Sequence, residues 1–88
     1  MYGIVKWWND KAGFGFITAK TVEGFKDYFA HYNRIITNHK FKKLKEGWVV
    51  SFTPDCNEKG AVADEIRKTH FESPEMGDIR MHLYEQED

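Results

Sequence analysis

Eighty-eight residues with a single cysteine, Cys56, suffice for one small domain plus an appendage and exclude an intrachain disulfide. No apolar run approaches the roughly 18 residues of a membrane-spanning helix, and the N-terminal MYGIVKWWNDKAG lacks the apolar core of a secretory signal, so no membrane partner and a reducing, cytoplasmic setting are expected. The net charge of −1 averages two dissimilar parts: residues 1–70 carry 12 Lys+Arg against 8 Asp+Glu, whereas residues 71–88 carry 1 against 6.

Short runs of β-branched and aromatic residues separated by Gly, Asn, Asp and Lys predict five strands, at about 3–9, 14–18, 27–31, 48–53 and 61–68. Asn9-Asp10 with Gly13, Glu23-Gly24, Glu46-Gly47, Pro54-Asp55 and the stretch 57–60 supply the breaks. The longest connection, 32–46, sets Lys40, Lys42, Lys43 and Lys45 around Phe41 and Leu44, with room for a short helical turn. Five short strands with one long link suit a small closed barrel, which removes exposed edges. Beyond a turn or linker at Ser73-Pro74, residues 78–84 fit two patterns: Ile79, Met81 and Leu83 alternate as in a strand, while Met76, Ile79 and Leu83 have helical spacing.

The stretch KAGFGFI (11–17) bears most directly on function. In a strand, Phe14 and Phe16 project to one face, and Gly13 and Gly15 leave the backbone beside them bare. Burial of both rings in the barrel competes with display to a flat ligand. The aliphatic residues Ile4, Val5, Ile17, Val22, Val49, Val50, Val62 and Ile66, with Phe52, already supply an interior, and a barrel this small cannot enclose most of 14 aromatic side chains. The surplus rings are interleaved with cations: Lys6 beside Trp7 and Trp8, Lys11 before Phe14, His31 between Phe29 and Tyr32, and lysines around Phe41. Rings that stack on bases and cations that neutralise phosphates are what single-stranded nucleic acid requires. In the third predicted strand, Phe29 and His31 share a face opposite Tyr28 and Ala30 and widen the platform.

KWWN (6–9), GFGFI (13–17), DYFAHY (27–32) and KLKEGWVVSF (43–52) follow one another in the order and approximate spacing of the cold-shock domain, which this chain resembles over about residues 2–68. GFGFI is similar to the family's first ribonucleoprotein motif and YFAHY to its second. The resemblance implies an all-β fold, a five-stranded antiparallel OB-type barrel, with a C-terminal extension of open structure. It implies a sequence-tolerant binder of single-stranded RNA and DNA acting as an RNA chaperone or a regulator of transcription or translation. By position, Trp7, Phe14, Phe16, Phe29, His31, Tyr32 and Phe41 would stack on bases. Lys6 and Lys59 would support them, with Trp8 and Lys11 in the same binding set. Trp8 stands where the family usually has phenylalanine, and Ala12 where it commonly has lysine, Lys11 being one place earlier. The loop 18–26 reads as somewhat long, and Gly60-Ala61 lacks a proline often found there. Pyrimidine-rich strands are the preference that stacking chemistry allows.

His31, His39, His70 and His82 have no metal-binding spacing, no glycine-rich phosphate loop is complete, and no catalytic grouping is evident, so neither cofactor, metal nor enzymatic activity is expected. Asp64 and Glu65, adjacent in a predicted strand, point to opposite faces and do not form an acid/base pair. The competing class is a protein-interaction or dimerisation module, since aromatics also suit protein interfaces. The division expected is 1–70 as the binding domain and 71–88 as an acidic extension. That extension is a solubilising or loosely packed appendage, folds back over the basic aromatic face, or uses Ile79, Met81 and Leu83 to add a strand or form a dimer contact, which leaves monomer and tail-mediated homodimer both open.

Overall fold

The computed structural model describes residues 1–84. Five strands, β1 (Tyr2–Asn9), β2 (Phe14–Thr21), β3 (Gly24–His31), β4 (Val49–Asn57) and β5 (Gly60–Lys68), close into a barrel in the order β1-β2-β3-β5-β4. All neighbours pair antiparallel except β3 and β5, which close the barrel through a parallel contact at Phe29 and Val62, extended by a bridge between Ile35 and Ile66. The expected five-stranded OB-type barrel is therefore present. A 3₁₀ turn, Tyr32–Arg34, follows β3, and one helix, α1 (Pro74–Tyr84), follows the barrel.

Two connections are shorter than their sequences suggest. The segment 18–26 is no loop: β2 and β3 continue to Thr21 opposite Gly24, leaving Val22-Glu23 as a two-residue turn. Val22, expected inside, is fully exposed at that tip. Likewise Pro54 does not end a strand, because β4 runs through it, opposite Ala63, to Asn57. The alternation expected at Asp64 and Glu65 is broken by an irregular register between Ser51 and Thr53, with Glu65 at a φ of 46°.

The barrel interior holds Val5, Ile17, Tyr28, Val50, Phe52 and Ile66 among others. Ile4 and Val49, also expected inside, are buried elsewhere: with Met76 and Ile79 they form a second cluster beneath α1, flanked by Leu83. The tail is thus a helix, and the helical spacing was the correct reading. Met76 and Ile79 are inaccessible whereas Met81, which a strand would align with Ile79, is 57% exposed. Ser73-Pro74 starts the helix. The Ser73 carbonyl accepts from the Met76 and Gly77 amides, and proline suits a first helical position because its absent N–H would lack a partner there anyway.

Three contacts fix where α1 lies. The Lys20 Nζ to Asp78 Oδ2 distance is 2.7 Å, the Phe25 and His82 rings stack at 4.0 Å, and Tyr2 stacks on Phe71 at 4.0 Å just before the helix. Ile4, Thr18, Lys20 and Phe25 all belong to the outer side of β1, β2 and β3. The helix therefore covers one half of that side and leaves the other half open. Thr18, on the covered half, is wholly buried and donates from Oγ1 to Asp27 Oδ1 at 2.7 Å.

Candidate nucleic-acid interface

The open half of the same surface carries the rings. β2 contributes Phe14 and Phe16, and β3 contributes Phe29 and His31, in a register that sets Phe14 opposite His31 and Phe16 opposite Phe29. Trp7 joins them through a bulge. The β1–β2 register shifts between Val5 and Trp7, so Lys6 is the extra residue. Without it, alternation from the outward Ile4 would turn Trp7 inward and Trp8 outward; with it, Trp7 lies opposite Phe16 on the ring-bearing side. Trp8 packs instead against the barrel core, its indole Nε1 buried without a hydrogen-bond partner among the described residues. Of the two adjacent tryptophans, only Trp7 is brought to this surface.

The rings form one continuous array. Trp7 lies 5.8 Å from Phe14 and 5.5 Å from Phe16, Phe29 lies 5.6 Å from Phe14 and 5.7 Å from Phe16, and the chain continues through His31 to Tyr32. The phenylalanines and His31 are half-buried, so each ring is held by its neighbours while part of it faces solvent. His31 is further fixed as the cap of the 3₁₀ turn, its Nδ1 accepting from the Asn33 amide.

Glycine is required at two points. A Cβ on Gly15 would collide with the Trp7 carbonyl oxygen and the Trp8 backbone, so only glycine lets β1 and β2 approach this closely. Gly13 has a φ of 77°, and a Cβ there would come within 2.7 Å of the Tyr32 ring. The turn before β2 is closed by Asn9, whose backbone oxygen accepts from Gly13 N and whose Oδ1 accepts from Ala12 N.

The remaining predicted residues occupy the rim. Lys59, in the β4–β5 turn, borders an open groove of about 680 Å³ beside Phe16 and Phe29. Lys11 borders a second, of about 630 Å³, together with Tyr32, Lys40 and Phe41. Phe41 is 75% exposed, with the Lys40 ammonium 6.0 Å from its ring centre. Lys6 is not a free cation: its Nζ lies 2.9 Å from Asp27 Oδ2. Asp27 stands at the border between the rings and the helix. Partial burial alone would raise the pKa of its carboxyl. The hydrogen bonds from Thr18 and Lys6, with the charges of Lys6 and His82, outweigh that and hold it below its ordinary value.

Sequence reasoning missed Asp27 as the partner of Lys6, although it precedes Phe29 by two residues and so shares its face. It also missed a cleft on the far side of Phe41 bordered by Trp48, Arg67 and Lys68, where the signal was available in the two adjacent cations closing β5. The acidic tail, as far as Tyr84, lies beside the rings and not over them; Glu85, Gln86, Glu87 and Asp88 lie outside the described residues. Among the described residues no group of His, Cys, Asp or Glu is arranged to hold a metal ion, and no helix is long and apolar enough to cross a membrane.

Comparison with known proteins agrees with this geometry. Residues 1–69 match the family model described as the 'Cold-shock' DNA-binding domain. The chain is similar to the cold shock protein CapB of Pseudomonas syringae, at 45% identity over 65 residues that span 74% of this chain and 88% of the relative. It is 48% identical over 65 residues, with the same coverage, to the major cold shock protein CspA of Pseudomonas aeruginosa. A cold shock-like protein CspA of Bordetella pertussis is 45% identical over 65 residues, 92% of its length. The barrel, its ring-bearing surface and a match spanning residues 1–69 make this chain a member of the cold-shock domain family of nucleic-acid-binding proteins.

Proposed function

We propose that the chain binds single-stranded RNA and DNA with little sequence preference. Bases stack on Trp7, Phe14, Phe16, Phe29, His31 and Tyr32, and on Phe41 at the far end. Lys11 and Lys59 meet phosphates at the rim, and Lys6, held in its pair with Asp27, supports them. The single observation that carries this reading is the unbroken contact of six rings from three adjacent segments, an arrangement that barrel packing does not require because the interior is filled from the other side of the same strands. Stacking is worth roughly 1–3 kcal/mol per base by alanine substitution, so three or four engaged bases supply several kcal/mol before the strand's ordering entropy is subtracted. Every base has a π-face, which makes such binding sequence-tolerant, with pyrimidine-rich strands the modest preference.

A protein that holds bases apart from one another disfavours their pairing. The cellular role that follows is an RNA chaperone, or a regulator of transcription or translation, working in the cytoplasm without catalysis. Residues 1–70 form the binding unit in this reading, and the extension beyond them supports it from the covered half of the sheet.

The test is binding of a labelled oligothymidylate, followed by anisotropy at two salt concentrations, for the full chain and for Phe14→Ala/Phe16→Ala. The full chain binds with an affinity that falls as salt rises, by a slope of about 0.7 per phosphate neutralised, and the double variant loses about 2–6 kcal/mol. A folded full chain that binds no oligonucleotide would overturn the proposal in favour of a protein partner.

A further inference from the structure

Beyond Phe41, away from the ring array, the long connection, Trp48 just before β4, and the end of β5 border an open cleft of about 740 Å³. Its floor is apolar, with Ile35, Leu44 and Trp48. Its charged rim is wholly cationic: Lys40, Lys43, Arg67 and Lys68 border it, and no carboxylate does. Lys68 lies over the Trp48 ring at 4.2 Å, which positions its ammonium at the cleft edge. This cleft and the groove beside Tyr32 share Lys40, Phe41 and Lys43 as a common wall, so the two form one path.

We infer that this cleft is a second contact segment for the same nucleic-acid strand, which leaves the ring array at Tyr32, crosses Phe41 and brings its phosphates to Arg67 and Lys68. The inference rests on the nucleic-acid-binding reading above. Charge complementarity selects the occupant: four cations unopposed by any bordering carboxylate match a polyanion. Continuity with the ring array through Phe41 makes that polyanion the strand already bound and not a separate molecule. Arg67 and Lys68 act in this segment by neutralising phosphate, so they add length-dependent affinity and salt sensitivity without base preference.

The experiment compares a four-nucleotide and a ten-nucleotide oligothymidylate on the full chain and on Arg67→Gln/Lys68→Gln, across a salt series. Both side chains are exposed and lie away from the ring array, so the variant keeps the fold; its urea midpoint verifies this. The short strand is expected to bind both proteins alike. The long strand is expected to bind the variant severalfold more weakly, with a salt slope reduced by about 1.4, two contacts at about 0.7 each. An equal effect on both lengths, or none on either, overturns the inference while leaving the ring array intact as a binding site. If the full chain binds neither strand, the parent reading fails instead. If the variant loses binding of hexaglutamate but not of the long strand, the cleft takes an acidic peptide and the inference is wrong.

Discussion

Met76→Ala should destabilise the whole protein, although Met76 lies outside the segment matched to the family. Its side chain is inaccessible, packed with Ile4, Val49 and Ile79. Truncating a buried methionine to alanine costs about 2–5 kcal/mol, through lost transfer free energy and the cavity left behind. The cluster lies under one short helix that can settle toward the sheet, so the lower part of that range applies, about 2–3 kcal/mol. For a domain of this size that corresponds to a fall in Tm of about 10–20 °C. Met81 is the internal control: same residue type, same helix, opposite side, and largely exposed. Met81→Ala should stay within about 0.5 kcal/mol. Urea unfolding followed by tryptophan fluorescence measures both. A Met76→Ala loss no greater than that of Met81→Ala would refute the packing of α1 on the barrel.

Two further outcomes follow from the bulge and from Asp27. Because Lys6 sends Trp7 outward and Trp8 into the core, Trp8→Phe should leave oligothymidylate affinity within about twofold, whereas Trp7→Ala should lose the roughly 1–3 kcal/mol of one stacking position. Equal losses in a binding titration would contradict the register. The Asp27 carboxyl, held below its ordinary value of 3.8, stabilises the fold above that value and loses this contribution as pH falls through its folded-state pKa. Asp27→Asn should therefore lower the unfolding free energy measured in urea at pH 7 by no more than about 1 kcal/mol, since the Lys6 pair is well exposed, and match the parent protein in strong acid. A deficit that persists undiminished in strong acid would remove the charge from the explanation.

The barrel and most of the ring array were legible because both depend on period-two alternation. Phe14 with Phe16 and Phe29 with His31 needed only strand geometry to share a face. Alternation fails where an extra residue enters, so the sequence could not say that Lys6 is bulged or that Trp7, and not Trp8, is the one turned outward. Burial beneath a helix was equally hidden. Ile4 and Val49 read as barrel filling because an apolar residue in a strand does not reveal which side is covered, and the cover comes from Met76 and Ile79, far along the chain. The exposed tip at Val22 reversed an expectation for a related reason. Two-residue turns at 22–23 and 58–59 lengthen the hairpins beyond what their polar residues suggest, and a valine at such a tip has no interior to enter.

The proposed stacking of bases on the open half of the β1–β2–β3 surface has Trp7 as its built-in reporter. The most direct measurement is the fluorescence of the full chain and of Trp7→Phe as a four-nucleotide oligothymidylate is added, with affinity followed independently by anisotropy of the labelled strand. Phenylalanine keeps a ring at that position, so both proteins should bind. The full chain should be strongly quenched and the variant scarcely, because Trp8 and Trp48 pack against the core. Undiminished quenching in Trp7→Phe at unchanged affinity would mean that the bases are bound somewhere else.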